Sequence, residues 1–274
     1  MSQEAADDHL SKKRAVYSIA GMERVAVRKD VAYRTTDGGP LTMDVYYPAD
    51  AAPGARLPAV LIVEGYSDVG FARIFGCRFK DTGMAVSWAQ LLGASGLAAI
   101  AYTNREPAAD LDALLAFVRD RAATLGLDAD RIGLWASSGH VPLALSALMS
   151  KDHDFLRCAA LFYGFMLDLD GGTGVADAAE AFRFANPNAG RSMADLRSDL
   201  PLFVVRAGQE QFAGLNDSID RFVAKAVAAN RPITFVNHAA GVHSFDLLQN
   251  SETSREIIRQ ALSFLRFQLT PAGS

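Results

Sequence analysis

Ser138 stands at a junction. Before it runs the apolar segment 131–136, Arg-Ile-Gly-Leu-Trp-Ala, and after it, beyond Gly139 and His140, the helix-compatible stretch 141–149. A serine on a sharp strand-to-helix turn projects its hydroxyl from a sheet edge, and the next backbone N–H, here of Gly139, can hold a developing oxyanion. Such a turn needs small neighbours two residues to either side. Ala136 supplies one, whereas His140 replaces the usual glycine, so the G-x-S-x-G pattern is half met. Ser137 competes for the role, because Gly139 would then fill the second small position, although Trp135 crowds the first. The bland alternative for either serine is a helix N-cap.

A hydroxyl needs a base beside it to become nucleophilic near neutral pH, and the chain offers His9, His140, His153, His238 and His243. His243 lies in the loop 239–246, just past the last strand-like run, on the sheet edge that Ser138 should share. His238 closes that run and reads as a partly buried strand-end residue. His140 reads as substrate-pocket lining, His9 as part of a loose tail, and His153, among Lys151, Asp152 and Asp154, as a solvated surface residue. The imidazole in turn needs an acid that fixes its tautomer and stabilises the imidazolium. Glu210 follows the strand-like run 201–206 and suits that position. Asp217 is the reserve acid, with capping of a helix near Ser218 as its bland role.

Bringing these side chains together requires a particular scaffold. Segments 23–33 and 41–47 alternate apolar and polar residues around a turn cluster at 35–40, the pattern of an antiparallel hairpin. Continuously apolar runs follow at 59–63, 97–102, 131–136, 158–165, 201–206 and 233–237, each of strand length and suited to burial on both faces. Between them, 111–125, 218–229 and 256–267 show helical periodicity, with Leu111, Leu114, Leu115 and Val118 on one face of the first. Alternating strands and helices predict an α/β fold, a mostly parallel, doubly wound sheet entered through the hairpin. Ligands bind beyond the carboxyl ends of such strands. One domain over 21–269 is expected, with a cap insertion at about 168–200, a flexible segment at 1–20 and a flexible tail at 270–274.

The chain has 27 basic and 31 acidic residues, a net charge of -4, and no dense cationic stripe, which argues against nucleic acid as a partner. No apolar run approaches the roughly 20 residues that cross a bilayer, and the first eighteen residues lack the pattern of a secretory signal. Membrane partnership and export are not indicated. Cys77 and Cys158 have no CxxC spacing and read as free thiols, so a cytoplasmic location is expected.

Over roughly 25–267 the sequence resembles the α/β-hydrolase superfamily, particularly bacterial esterases near the dienelactone-hydrolase and hormone-sensitive-lipase-like branches. Arg-Ile-Gly-Leu-Trp-Ala-Ser-Ser at 131–138, Ala-Gly-Gln-Glu at 207–210 and His-Ser-Phe-Asp at 243–246 carry the resemblance. It implies an eight-stranded, mostly parallel sheet with a variable cap, and it places Ser138, Glu210 and His243 at triad positions. Where such esterases carry His-Gly-Gly after the third strand, this chain reads Glu64-Gly65-Tyr66-Ser67-Asp68. The N–H or hydroxyl of Tyr66 is therefore the expected second oxyanion donor beside Gly139, with Gly65 lining the pocket. Dienelactone hydrolases use an elbow cysteine, but Cys158 falls in an apolar run and Cys77 in a loop. In the loop 66–82, Arg78, with Arg73 and Lys80, marks a mouth suited to a substrate carboxylate.

The expected activity is hydrolysis of a carboxylic ester, a lactone or a thioester through an acyl-enzyme, with no metal or cofactor. A cap of some thirty residues favours a small to medium acyl group. A small-molecule ester is the expected partner, and a homodimer is compatible with the sequence. A peptidase or amidase using the same triad is the second enzymatic reading. A non-catalytic small-molecule-binding relative is the third, supported by the Glu64-Gly65-Tyr66 loop and His140.

Overall fold

Short runs of small and β-branched apolar residues become strands here because such side chains fill a sheet that is covered on both faces. The computed structural model, which describes residues 9–52 and 54–270, contains β1 (Ala26–Thr36), β2 (Gly39–Tyr47), β3 (Leu57–Ile62), β4 (Ala98–Tyr102), β5 (Leu127–Ser137), β6 (Leu156–Phe162), β7 (Leu202–Ala207) and β8 (Ile233–His238). They form one sheet in the order β1-β2-β4-β3-β5-β6-β7-β8. β1 and β2 make the expected antiparallel hairpin, β2 also runs antiparallel to β4, and β3 to β8 are mutually parallel. This is the arrangement that the resemblance implies.

The helices are α1 (Asp68–Phe75), α2 (Gly83–Ala94), α3 (Pro107–Arg121), α4 (Val141–Leu148), α5 (Gly174–Phe182), α6 (Leu215–Ala228), α7 (Phe245–Leu248) and α8 (Glu252–Leu269). Helices α3, α4 and α6 cover one face of the sheet, meeting Leu61, Leu134 and Val204. On the other face α2 and α8 bring Trp88, Leu92, Ile258 and Leu265 against Val60, Trp135 and Val205. Leu134 and Trp135 thus serve opposite cores, as the two-residue period of a strand requires. α1 falls within the span 66–82, which the sequence reads as a loop. α2 also escapes the periodicity, because none of its residues is exposed and it has no polar face to mark it.

The first residues depart from expectation. Over 9–20 the segment 1–20, expected to be flexible, is docked: the Ala15 N–H donates to Ser87 Oγ at 2.9 Å and the Val16 N–H to the Asp246 carbonyl at 2.8 Å. Ala15, Val16, Tyr17 and Ile19 pack on the α2 and α8 side of the core. Residues 1–8 and 271–274, where loose ends are expected, lie outside the described residues.

The span 168–200 holds α5 and a single helical turn at Met193–Asp195. Val175, Phe184, Met193 and Leu200 anchor it to the α3, α4 and α6 core. The Asp168 carboxylate caps α5, accepting from the N–H groups of Val175 at 2.7 Å and Ala176 at 2.9 Å. Among the described residues no helix is long and apolar enough to cross a membrane.

Candidate active site

β5 ends at Ser137, and the chain turns through Ser138–His140 directly into α4. The turn forces Ser138 to φ +53°, a left-handed conformation that a residue with a Cβ adopts only under constraint. The constraint comes from close packing. A Cβ on Gly65 would lie 2.6 Å from the Gly139 carbonyl oxygen and 2.9 Å from His140 Cα. One on Gly139 would meet the Phe184 ring at 2.9 Å and come still closer to the Tyr66 hydroxyl. Both positions therefore exclude larger residues, and the loop after β3 rests directly on the turn after β5.

His243 arrives from the loop after β8. Its Nε2 lies 2.9 Å from Ser138 Oγ and its Nδ1 lies 2.5 Å from Glu210 Oε2. The other carboxylate oxygen of Glu210 accepts from the N–H groups of Gln211 at 2.8 Å and Phe212 at 2.9 Å. Burial works against ionisation of Glu210, but the His243 bond and the two backbone donors outweigh it and hold the carboxyl below its ordinary range. A carboxylate thus faces Nδ1, which fixes the proton there and leaves Nε2 as acceptor for the serine hydroxyl. Ser138, Glu210 and His243, distant in the chain, form one hydrogen-bonded line.

Beneath the imidazole the Tyr163 ring sits edge-on, its centroid 5.0 Å away. Its hydroxyl bonds the buried Asp246 carboxylate, which also accepts from Trp88 Nε1 at 2.8 Å. Above, Phe212 presents an edge to His243 at 4.7 Å, and Phe182 from α5 stands 5.2 Å from Phe212. The sequence reading singles out neither Phe182 nor Phe212, nor the Tyr163–Asp246–Trp88 group. Only Asp246, within the His-Ser-Phe-Asp segment, carries a hint.

Two backbone donors are open near Ser138. The Gly139 N–H belongs to the first helical turn, where such groups lack intrahelical partners. The Tyr66 N–H has no protein acceptor among the described residues. Burial pushes the Tyr66 hydroxyl up to about 12, so it stays protonated near neutral pH.

Several expected site residues take other places. Gly65, expected to line the pocket, is instead spent on structure: its N–H donates to His140 Nδ1 at 2.8 Å and its carbonyl accepts from Ala185 at 2.7 Å. His140, also expected as lining, is only 5 % exposed, between the rings of Tyr66 and Phe79. Burial lowers its pKa to about 3, and a neutral ring accepting at Nδ1 must carry its proton on Nε2. Arg78 is engaged by Asp81 at 2.7 Å, and Lys80 is buried against Asp44 at 2.8 Å and Asp30 at 3.0 Å. Both side chains are thus already paired with carboxylates of this chain, so neither is a free cation for the expected carboxylate-binding mouth. Asp217, the reserve acid, is exposed on the first turn of α6, and its carboxylate does not meet His243. His153, expected on the surface, is buried beside Phe155 with Asp112 at 3.6 Å. His238 is buried with Nε2 3.1 Å from Ser254 Oγ, and Cys158 lies in β6 with its thiol pushed up to about 12 by burial.

Glu64 is the unexpected member of the region. It is 0 % exposed, and neither carboxyl oxygen has a hydrogen-bond partner. Burial, with Asp68 nearby adding to it, raises its pKa well above the usual carboxylate range and so favours the protonated form. Among the described residues, no three His, Cys, Asp or Glu side chains gather as a metal would need.

No protein-family model and no curated protein matches the sequence. Solved structures do match. A thermophilic esterase, Est2, from the Planctomycetes species Thermogutta terrifontis aligns with a TM-score of 0.68 at 20 % identity, over 92 % of this chain and 96 % of that one. Esterase 2 of Thermogutta terrifontis phosphoramylated by tabun aligns at 0.65 and 18 % identity, over 92 % and 98 %. A mutant of esterase rPPE aligns at 0.68 and 16 % identity, over 93 % and 86 %. At these identities the likeness is one of fold alone, the α/β-hydrolase fold. None of these descriptions names the dienelactone-hydrolase or hormone-sensitive-lipase branch.

Proposed function

We propose that this α/β-hydrolase-fold protein is a serine hydrolase that cleaves a carboxylic ester through a covalent acyl-enzyme. The single observation that carries the reading is the line Ser138 Oγ, His243 Nε2, His243 Nδ1, Glu210 Oε2, with spacings of 2.9 and 2.5 Å around a serine held at φ +53°. His243 Nε2 takes the hydroxyl proton as Ser138 Oγ attacks the ester carbonyl carbon. Charge develops on the carbonyl oxygen, where the Gly139 N–H and Tyr66, through its N–H or its hydroxyl, are the donors at hand. The tetrahedral species collapses as Nε2 returns the proton to the departing alcohol oxygen. Water, deprotonated by the same Nε2, then releases the acid and restores Ser138. Glu210 keeps the imidazole oriented and balances its transient positive charge.

Chains of this fold described as esterases, one of them phosphoramylated by tabun, support the reading. The free thiols Cys77 and Cys158 support a reducing compartment, and we assign the protein to the cytoplasm on that ground. Labelling with a serine-directed fluorophosphonate tests the proposal. The wild-type chain is expected to be labelled and Ser138→Ala to be silent. Absence of wild-type labelling favours a binding-only scaffold, and persistent labelling of Ser138→Ala moves the nucleophile elsewhere. Turnover of an amide matched to an accepted ester separates esterase from amidase.

A further inference from the structure

The aromatic pair over His243 is left partly open to solvent. Phe212 is 41 % exposed and Phe182 is 47 % exposed, although phenyl rings gain from burial. One ring comes from the loop that carries Glu210 and the other from the cap helix α5, and they meet edge to face at 5.2 Å beside the imidazole. Chemistry fixes what occupies that space. The proton removed from Ser138 returns to the leaving oxygen from the same Nε2, so that oxygen must come within hydrogen-bond reach of His243. Whatever is attached to it extends along the imidazole, where Phe212 stands. On the other side of the serine the Phe184 ring is closed to a ligand, being 5 % exposed, stacked on Phe165 and packed against Gly139.

Resting on the hydrolase reading, we propose that Phe212 and Phe182 form the leaving-group subsite, and that the preferred substrates are small-acyl esters of an apolar, ring-bearing alcohol. A flat apolar alcohol laid against the two rings removes exposed carbon surface from water on both partners and gains aromatic contact geometry. A methyl or ethyl alcohol reaches neither ring fully and loses that gain. No cation is required at this wall, in keeping with Arg78 being held by Asp81.

Three esters test the assignment: methyl acetate, benzyl acetate, and methyl phenylacetate, an isomer of benzyl acetate with the ring on the acyl side. Because kcat/KM reports acylation, the step in which the alcohol leaves, it isolates the leaving-group contact from the later hydrolysis. Wild-type enzyme is expected to favour benzyl acetate over methyl acetate, and Phe212→Ala and Phe182→Ala should each lower that ratio by about tenfold. The methyl phenylacetate to methyl acetate ratio should not fall in parallel. An unchanged benzyl ratio in both variants overturns the subsite, as does a fall confined to methyl phenylacetate. An equal loss on all three esters also overturns it, since the rings would then serve only to orient His243. Fluorophosphonate labelling of Ser138 without benzyl acetate turnover defeats the substrate assignment alone, whereas absence of labelling defeats the hydrolase reading beneath it.

Discussion

Replacing Ser138 by glycine and, separately, by alanine deletes the same hydroxyl while treating the backbone differently. Both variants lose the 2.9 Å contact with His243, so that loss cancels in the comparison. Alanine keeps a Cβ at φ +53°, and glycine does not. A left-handed conformation costs a residue with a Cβ roughly 1–2 kcal/mol. Glycine in turn gives up about 0.4–1 kcal/mol more chain entropy on folding than alanine. The difference leaves Ser138→Gly ahead of Ser138→Ala by roughly 1 kcal/mol. In a chain of this size that corresponds to a melting temperature higher by about 2–4 °C. Thermal melts of the two purified variants in one buffer measure it directly. Neither retains a nucleophile, so covalent trapping does not disturb the comparison. If Ser138→Ala melts at or above Ser138→Gly, the turn is not strained and the constraint assigned to Gly65 and Gly139 is wrong.

Glu210→Gln is expected to lower kcat by about 10³- to 10⁴-fold with little change in KM. Its carbonyl would stay on the Gln211 and Phe212 N–H groups and turn an NH2 toward His243 Nδ1, which selects the wrong imidazole tautomer; a loss below tenfold in steady-state kinetics contradicts this. Glu64→Gln should raise stability at pH 8 and lose that advantage as the pH falls toward 4.5, the ordinary glutamate value. The sign follows from burial having raised the folded pKa: between 4.5 and that raised value the folded chain holds a proton the unfolded chain has released, so wild-type stability declines as pH rises through the window. Parallel wild-type and variant melting curves across pH 5–9 refute the buried-acid assignment. His140→Ala orphans the Gly65 N–H and should cost about 1–3 kcal/mol; a melting temperature equal to wild type shows that the loop does not depend on that bond.

The strands were legible because each is a short apolar run between turn residues, and every one that the sequence marks reappears within a few positions, from 59–63 against Leu57–Ile62 to 233–237 against Ile233–His238. Helices α3, α6 and α8 were legible through their polar outer faces, whereas α2, with no exposed residue, had no such face to read. Ser138, His243 and Glu210 stand out because each is a reactive residue type just past a strand, where the parallel sheet collects chain ends. The surroundings were not legible, since local patterns say nothing of what packs across the site. His140 appears in sequence as a pocket residue because it neighbours Ser138, yet its ring turns inward to hold Gly65. Arg78 and Lys80 look like free cations until the fold brings Asp81, Asp44 and Asp30 beside them. Glu64 enters the sequence reading only as a departure from His-Gly-Gly, and the fold seals it in the interior.

Anchoring of the amino-terminal arm reaches further than its position suggests. The Val16 amide is tied to the carbonyl of Asp246, whose carboxylate is gripped by Trp88 and by Tyr163, the ring that packs on His243. Trimming the chain past residue 16 would therefore unfasten the platform on which the His243 ring rests, while leaving the central strands intact. The arm around Ala15 and Val16 is a poor site for shortening, and on the hydrolase reading damage there would register first as lost turnover rather than as lost folding.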